Sequence, residues 1–366
     1  MPDKSVAIGG RTVDIHYAAG GRGAFELWPS MGEYPIYDGL LYSEMTMDEV
    51  RNQEYYKAVE ALAADKIVLD LGIGADLVWT MAALRAGARK VYAIEEIDNV
   101  YELARARIAE LRLESRVHLM RGNSMHVTLP ERAEVCISEI IGNIGSSEGV
   151  VASLLDARRR LLTADAAMVP QRCLTEIAAF ALPDDVAGAP SFTDRALPYV
   201  ERLLQRFGKP VDLRLGCRNV PAASLLSDSA VFEDLDFRND APLAGSRQFT
   251  LTVQSAGRCD GFLLWIRLFC AEDSVAVDSL RSPTNWRPIF FPIFYPGHAV
   301  EAGDTITATV ETTLSPDGVH PNYHLYGTLV RRSGEVWFDY ASLHNAEAQA
   351  NNLPIYRKLF ASTGNA

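Results

Sequence analysis

Short apolar runs alternate with amphipathic stretches along the first half of the chain. The apolar runs are rich in β-branched residues and are typical of buried strands: K-I-V-L-D-L-G (66–72), K-V-Y-A-I-E-E (90–96), V-H-L-M-R-G (117–122) and E-V-C-I-S-E-I (134–140). Apolar residues at helical spacing predict helices over 48–65, 75–86, 99–113 and 150–162. Strands that alternate with helices of this length predict a parallel, doubly wound, Rossmann-like sheet, with ligands beyond the carboxyl ends of its strands.

After V-P-Q-R-C (169–173) the pattern changes to short alternating strands, separated by turns that contain Pro and Gly. The predicted strands are L-T-E-I-A-A-F-A-L (174–182), F-T-L-T-V (249–253), F-L-L-W-I-R-L-F (262–269) and T-I-T-A-T-V-E-T (305–312). One helix is predicted within 191–207. The predicted fold class is therefore α/β, a Rossmann-like doubly wound sheet domain followed by an antiparallel β-barrel-like domain.

The composition is that of a globular protein, because 48% of the 366 residues are apolar and 22% are charged. No apolar run reaches the roughly 20 residues that cross a bilayer. The net charge of −12 disfavours nucleic acid or a membrane as the partner; it suits a cationic substrate or simply aids solubility. The five cysteines are scattered without a C-x-x-C pair, so we expect no disulfide framework, no zinc site and a cytoplasmic protein.

V-L-D-L-G-I-G-A-D (68–76) ends a predicted strand and opens a predicted helix. Gly72 and Gly74 allow a ligand to approach the backbone, and Glu95 closes the next strand, where an acid can bind ribose hydroxyls. Such a site serves a dinucleotide or S-adenosylmethionine. Leu77 stands where a dinucleotide fingerprint has its third glycine, and Asp76 repels a diphosphate, so S-adenosylmethionine fits better.

Two glutamates, Glu139 and Glu148, lie nine residues apart in S-E-I-I-G-N-I-G-S-S-E-G (138–149). One interpretation is structural: Glu139 is a strand-end acid in water, and Glu148 is favoured by the dipole of the following helix. The other is a clamp for a cation. One carboxylate that binds two N–H groups fixes the plane of a guanidinium, and a second carboxylate draws positive charge away from the reacting nitrogen.

Taken in order, these motifs resemble those of the protein arginine methyltransferases. The matching segments are D-E-V-R (48–51), V-L-D-L-G-I-G (68–74), A-G-A-R-K-V-Y-A-I-E (86–95), L-P-E-R-A-E-V-C-I-S-E (129–139) and the double-glutamate loop S-E-x-x-G-x-x-x-x-x-E (138–148). S-P-T-N-W (282–286) resembles the family's threonine–histidine–tryptophan loop. The resemblance covers about 34–180 well and the β half loosely.

The resemblance implies S-adenosyl-L-methionine as the cofactor. It implies an N-terminal segment at 1–47 that covers the cofactor, a cofactor-binding Rossmann-like domain at 48–170, a β-barrel substrate domain at 171–366 and a homodimer, with a candidate dimerisation arm at 184–210. By position, Glu139 and Glu148 are the catalytic clamp, and Asn285 and Trp286 are further substrate-binding residues. Arg51 would pair with the cofactor carboxylate and Glu95 with the ribose. The full set of implied cofactor-binding residues is Tyr42, Met45, Arg51, Asp70, Gly72, Gly74, Glu95, Asn123 and Ser124.

Three positions depart from the family pattern: Asp76 replaces a glycine, Met125 stands where an acid often contacts the adenine, and Asn285 replaces the loop histidine. We therefore expect N-methyl transfer to a guanidino or other cationic nitrogen, in a protein or peptide or in a small molecule. The alternatives are a non-catalytic relative that binds a partner through the same surface and, with less support, an NAD-dependent dehydrogenase. His320 and His324 suggest a metal pair, but the strand context favours ordinary histidines, so no metal is expected.

Overall fold

The structure is a computed structural model, and it describes residues 3–8, 10–21, 23–30, 42, 45–208, 213–344 and 353–363. None of the helices in these ranges combines the length and apolar character that a bilayer crossing requires. All five cysteines are buried and unbonded.

The first part of the chain contains the predicted parallel sheet. Its elements are β1 (Asp3–Ile8), β2 (Arg11–Ala18), β3 (Glu26–Ser30), α1 (Glu49–Leu62), β4 (Ile67–Leu71), α2 (Val78–Arg85), β5 (Lys90–Glu95), α3 (Asp98–Glu110), β6 (Val117–Arg121), β7 (Ala133–Ser138), α4 (Val150–Arg160) and β8 (Leu162–Val169). Strands β4 to β8 pair in parallel in the order β6-β5-β4-β7-β8. The parallel sheet is confirmed, and the predicted strands and helices of this part have ends that differ from the observed ones by at most three residues.

The centre of this sheet is buried because helices cover it. Every residue of β4 is buried, which explains why this strand is a continuous apolar run rather than an alternating one. Helix α1 begins after Asp48, whose carboxylate caps it by accepting a hydrogen bond from the Arg51 amide at 3.0 Å. The carboxyl ends of β5, β4 and β7 lie side by side, so Glu95, Gly72 and Glu139 follow or end strands at one edge of the sheet.

The rest of the chain is rich in antiparallel strands. Its elements are β9 (Arg172–Phe180), α5 (Asp184–Gly188), β10 (Phe192–Thr193), α6 (Leu197–Phe207), β11 (Arg214–Arg218), a 3₁₀ turn (Ala222–Ser224), β12 (Leu225–Asp236), β13 (Gly245–Thr252), β14 (Gly257–Cys259), β15 (Gly261–Phe269), β16 (Val277–Asp278), β17 (Ile289–Phe291), β18 (His298–Val300), β19 (Thr305–Leu314), β20 (Pro321–Arg331), β21 (Gly334–Ser342), α7 (Pro354–Leu359) and β22 (Phe360–Thr363). A large sheet has the main path β1-β2-β10-β3-β11-β17-β15-β9-β12, and β13-β19-β20-β21 form a second sheet. The expected antiparallel, strand-rich region is confirmed.

The N-terminal strands belong to the large sheet and not to the parallel one. Strands β1 and β2 pair antiparallel, with Ile8 opposite Arg11, and β3 pairs with β11. The sequence pattern did not lead us to predict these strands, because residues 1–47 were assigned to a cover over the cofactor. Within that segment, residues 31–41, 43 and 44 lie outside the described ranges, so the expected cover is represented by Tyr42 and Met45.

The candidate arm at 184–210 contains α5, β10 and α6, and its residues 209 and 210 lie outside the described ranges. Val200 and Leu204 of α6 are buried in an apolar cluster together with Ile15, Leu27 and Phe192 of the same chain. This face of α6 is therefore packed against the strand-rich region to which it is connected.

Candidate active site

A glycine turn follows β4 at the edge where ligands bind in such sheets. Gly72 and Gly74 have φ angles of +76° and +68°, a left-handed backbone that favours glycine. A Cβ on Gly74 would overlap the Tyr42 hydroxyl, and this hydroxyl accepts a hydrogen bond from the Asp76 amide at 3.1 Å. Tyr42 therefore lies directly over the turn.

Glu95, the last residue of β5, faces the same turn. Its Oε2 accepts a hydrogen bond from the Gly74 amide at 3.2 Å, and its Oε1 accepts one from the Ile97 amide at 3.0 Å. Burial raises the pKa of Glu95, and these backbone hydrogen bonds act in the opposite direction. The carboxylate is thus fixed beside the glycine turn, where it is suited to accept hydrogen bonds from hydroxyl groups.

Arg51 on α1 joins three parts of the site. Its guanidinium donates from Nη1 to Glu139 Oε2 at 2.7 Å, from Nη2 to the Met45 carbonyl, and from Nε to Asn52 Oδ1 at 3.1 Å. Only 4% of its side chain is exposed. Trp79 lies beneath it, with the guanidinium carbon 5.7 Å from the ring centroid. One buried cation therefore links the N-terminal segment, α1 and the residue after β7.

Glu139 immediately follows β7, with 10% of its side chain exposed. Burial raises its pKa, the Arg51 guanidinium lowers it, and the nearby Asp48 carboxylate raises it again. Burial has the largest effect, so this carboxylate is costly to ionise unless a cation lies against it. Its position favours an acid that binds a cationic group.

The loop from Glu139 to Glu148 is compact. The Gly142 amide donates to the Gly145 carbonyl at 3.4 Å, the Ser147 amide to Ile144 at 2.8 Å, and the Gly149 amide to Ser146 at 3.0 Å. Gly149 has φ of +80°, and a Cβ there would clash with Val319 at the start of the β20 region. Glu148 is half-buried within the last of these turns, directly before α4.

The loop 282–287 reaches this site through three hydrogen bonds. The Asn285 amide donates to Asp48 Oδ2 at 2.7 Å, the Trp286 indole Nε1 donates to the Ile141 carbonyl at 2.7 Å, and the Arg287 amide donates to Asn143 Oδ1 at 2.7 Å. Trp286 is buried among the core residues of the parallel-sheet region. The structure thus connects Asn285 and Trp286 to the residues around Arg51 and to the double-glutamate loop.

Relatives of known name match this arrangement in sequence. Protein arginine N-methyltransferase 1 of Schizosaccharomyces pombe is 26% identical over 293 residues, which cover 76% of this chain and 83% of that protein. Protein arginine N-methyltransferase PRMT10 of Oryza sativa subsp. japonica is 34% identical over 175 residues, 45% of this chain and 44% of that protein. The matched part of this chain spans less than two thirds of the rice protein. No protein-family model matches the chain.

Solved structures match the fold. The Trypanosoma brucei PRMT1 enzyme–prozyme heterotetrameric complex with AdoHcy aligns with a TM-score of 0.67 at 22% identity, over 83% of this chain and 98% of that chain. Arabidopsis thaliana protein arginine methyltransferase 10, in an open conformation, aligns with a TM-score of 0.65 at 20% identity, over 83% and 96% of the two chains. These likenesses establish the fold.

In sequence and in fold, the chain is similar to the protein arginine N-methyltransferases. The resemblance seen in the sequence is thereby confirmed. The residues that carry it, from Arg51 to Glu139, are also those that the structure joins by hydrogen bonds.

Two other cofactor residues implied by the arginine methyltransferase resemblance, Asn123 and Ser124, follow β6. Asn123, after β6, donates to the Glu96 carboxylate at 3.2 Å, and its Oδ1 accepts from the Met125 amide at 2.9 Å. The Ser124 carbonyl accepts from Arg160 at 2.8 Å. Asn123 and Ser124 thus follow the strand beside β5 and are fixed next to its end.

Asp70 is fully buried within β4 and lies below the glycine turn. The Thr80 hydroxyl donates to its Oδ2 at 2.6 Å, and Oδ1 has no hydrogen-bond partner among the described residues. Burial raises the pKa of Asp70 to about 7, although the hydrogen bonds from Thr80 lower it. This burial is consistent with a role in supporting the turn from beneath.

Sequence reasoning missed two residues that organise the site. Asp48 caps α1 with one oxygen and accepts from the Asn285 amide with the other. An acid before an apolar helical run is a capping signal, so the pattern D-E-V-R contained the first of these roles. Trp79 stacks on Tyr55 with ring centroids 4.6 Å apart and lies beneath Arg51. No local pattern indicates this contact.

The two histidines considered as a metal pair have separate partners. His324 contacts Asp339 at 2.9 Å, whereas His320 contacts Asp317 at 2.8 Å and stacks on His344. Asp317, His320 and His344 offer ligand atoms within 4.8 Å of one another. The His320 and His344 rings are parallel within 5°, with centroids 4.1 Å apart. Two imidazoles that share an ion each direct an in-plane nitrogen at it, so the stacked arrangement favours hydrogen bonding to Asp317.

Proposed function

We propose that the protein is an S-adenosylmethionine-dependent N-methyltransferase, with a guanidino nitrogen of arginine in a peptide or protein as acceptor. The observation that carries the proposal is the ion pair of Glu139, a buried carboxylate at the ligand-binding edge that already has a guanidinium, Arg51, against it. The names of the fission yeast and rice relatives support arginine as the acceptor.

The residues present fit this cofactor. The turn at Gly72 and Gly74 has the left-handed backbone that glycine allows at the end of β4, and Tyr42 covers it at Gly74. Glu95 has the acceptor oxygens that ribose hydroxyls need, and Arg51 has the guanidinium that an amino-acid carboxylate needs. The solved trypanosome complex contains AdoHcy, the demethylated form of the same molecule.

Methyl transfer to a guanidinium requires that the acceptor nitrogen is positioned against the methyl group and that its positive charge is drawn away. When bound, S-adenosylmethionine supplies a methyl group on a sulfonium, which the acceptor nitrogen takes in exchange for a proton. A guanidinium is planar, delocalised and protonated in water, so its nitrogens are poor nucleophiles. Glu139 can bind two of its N–H groups and fix its plane, and Glu148 can draw positive charge away from the reacting nitrogen. Arg51 would orient Glu139 through its hydrogen bond to Oε2.

The direct test is mass spectrometry of cell extract incubated with the protein and methyl-labelled S-adenosylmethionine. Label on arginine residues of proteins is the expected result. Label on a small guanidino or amino compound alone would contradict arginine in a protein as the acceptor, but it would still agree with N-methyl transfer. If no protein or small molecule becomes labelled, while a control methyltransferase is active in the same extract, the proposed reaction is contradicted.

A non-catalytic binding protein is the second candidate, and the departures at Asp76 and Asn285 favour it. Calorimetry with S-adenosylhomocysteine separates the two. Stoichiometric binding agrees with the enzyme, whereas a protein that binds none is the non-catalytic relative.

The proposal extends to assembly and compartment. We expect a homodimer with a contribution from 184–210, and a cytoplasmic location in keeping with five unbonded cysteines. Light scattering coupled to size exclusion at micromolar concentration tests the first point. A monomer under these conditions would contradict it.

A further inference from the structure

The second half of the double-glutamate loop is bound to a carboxylate of the strand-rich region. Ser146 donates from its amide to Glu233 Oε2 at 3.3 Å, and its hydroxyl donates to Oε1 of the same side chain. The Thr175 hydroxyl donates to Glu233 Oε2 at 2.9 Å and accepts from the Gly145 amide at 3.0 Å. Glu233, on β12, therefore organises two consecutive residues shortly before Glu148.

This network is buried throughout. The exposed fractions are 7% for Glu233, 4% for Ser146 and 0% for Thr175. The Tyr323 hydroxyl, on β20, lies 2.7 Å from the Ser146 hydroxyl. Burial raises the pKa of Glu233, and the hydrogen bonds from Ser146 and Thr175 lower it. A buried polar network whose members are all bonded makes a segment rigid and gives it one conformation.

Ser146 transmits this rigidity to the catalytic end of the loop. Its carbonyl accepts the Gly149 amide at 3.0 Å, which closes the turn that contains Glu148. Gly145 packs closely against Cys173, because a Cβ on Gly145 would lie 2.9 Å from Cys173 Sγ. A displacement of Ser146 would therefore displace Glu148.

We propose that Glu233 is a positioning residue for the methyl transfer, which acts by fixing Ser146 and thereby the Glu148 carboxylate. The proposal rests on the proposed function, and it gives Glu233 no contact with the substrate. A displacement of about 1 Å in a reacting geometry lowers turnover by about 100-fold. Loss of the network would thus lower kcat while the cofactor edge, on the other side of Glu139, keeps its affinity.

The test compares Glu233→Gln with a matched control, Asp260→Asn. Glutamine keeps the volume and one acceptor oxygen, but its NH₂ group replaces the second acceptor. Asp260 is also buried in the strand-rich region, and burial raises its pKa; it accepts from the Leu182 amide at 2.9 Å and from Arg258 Nε at 3.1 Å, away from the loop. Hydrogen exchange of peptides that cover 142–149, kcat, KM for the acceptor peptide and affinity for S-adenosylhomocysteine are measured for both variants.

For Glu233→Gln we expect exchange in 142–149 to be about 10-fold faster and kcat about 10-fold lower, with affinity for S-adenosylhomocysteine within about 2-fold of wild type. Asp260→Asn should change thermal stability, but it should change neither the exchange of 142–149 nor kcat. Unchanged exchange in Glu233→Gln, or an equal loss of kcat in Asp260→Asn, would overturn the proposal. A wild-type protein that transfers no methyl group would contradict the proposed function instead, and the exchange comparison would still decide whether Glu233 fixes the loop.

Discussion

Glu139 begins the double-glutamate loop, Glu233 binds its second half through Ser146, and burial raises the pKa of both carboxyl groups. Their partners differ. Glu139 pairs with the Arg51 guanidinium at 2.7 Å, whereas Glu233 accepts from the hydroxyls of Ser146 and Thr175 and from a backbone amide. Glu139 follows strand β7 of the parallel sheet and Glu233 lies on β12 of the strand-rich region, so each half of the loop is fixed by a different part of the fold.

This difference distinguishes a carboxylate suited to bind a substrate from one that fixes the backbone of the loop. A carboxylate that faces a cation at the ligand-binding edge has a partner of the same chemical kind as the proposed substrate. Glu233 accepts its hydrogen bonds from hydroxyls and a backbone amide, and Arg214 is near enough to lower its pKa, so this carboxylate fixes the backbone around it without an exposed edge for a ligand. The contrast explains why only Glu139 and Glu148 are assigned to the clamp.

The largest expected effect comes from removal of the cation beside Glu139. Arg51→Ala leaves a buried carboxylate unpaired, so we expect the free energy of unfolding to fall by about 3 kcal/mol at pH 8. The loss should shrink at pH 6, because Glu139 without Arg51 has a still higher pKa and becomes protonated. Urea unfolding at both pH values measures this, and Arg51→Ala combined with Glu139→Gln should regain most of the loss. Equal losses at pH 6 and pH 8 would show that Glu139 is not the responsible group.

A smaller effect is expected on substrate binding as the pH changes. Because burial raises the pKa of Glu139, this acid takes up a proton at higher pH than a free glutamate. The dissociation constant of an arginine peptide, with S-adenosylhomocysteine present, should rise as the pH falls from 8 to 6. Glu139→Gln should bind more weakly at pH 8 and change less with pH. A constant affinity of the wild type over this range would oppose a charged Glu139 in binding.

The smallest effect extends the comparison to Asp70, a buried carboxylate that accepts a hydrogen bond from the Thr80 hydroxyl. Its folded-state pKa of about 7 lies above the ordinary aspartate value of 3.8, so the folded state binds more protons between these values and loses stability as the pH rises through them. Asp70→Asn lacks this loss. We expect a gain on the order of 1 kcal/mol at pH 8 and almost none at pH 4. Thermal unfolding at the two pH values checks this, and a larger gain at pH 4 would contradict the assigned cause.

The parallel sheet could be predicted because its signals are local. Strands β4 to β7 are short apolar runs, and each helix shows its own period, so these elements were predicted within three residues of their ends. The fifth strand, β8 (Leu162–Val169), was not predicted. The hairpin β1–β2 also carried a local signal, since Gly9 and Gly10 separate two alternating runs, but the expected cover over 1–47 took precedence. A pairing of Ile8 with Arg11 is what a two-residue connection gives.

The interior of the site could not be predicted in the same way. Arg51 and Glu139 are 88 residues apart, and Ser146 and Glu233 are 87 apart. Contacts between residues so far apart in the sequence arise from the packing of the two parts of the chain. The local sequence around each residue does not indicate its partner. The motif D-E-V-R and the double-glutamate loop did indicate that both residues matter, though not that they meet.

The central claim is that two carboxylates act on one guanidinium, and Glu148→Gln tests it most directly. The substitution keeps the shape and removes the charge, so transfer of labelled methyl to an arginine peptide should fall by about 100-fold or more. Binding of S-adenosylhomocysteine, measured by calorimetry on the same preparation, should stay within about 2-fold of wild type, because the site proposed for it lies at the glycine turn and Glu95. Methyl transfer at the wild-type rate in this variant would contradict the clamp.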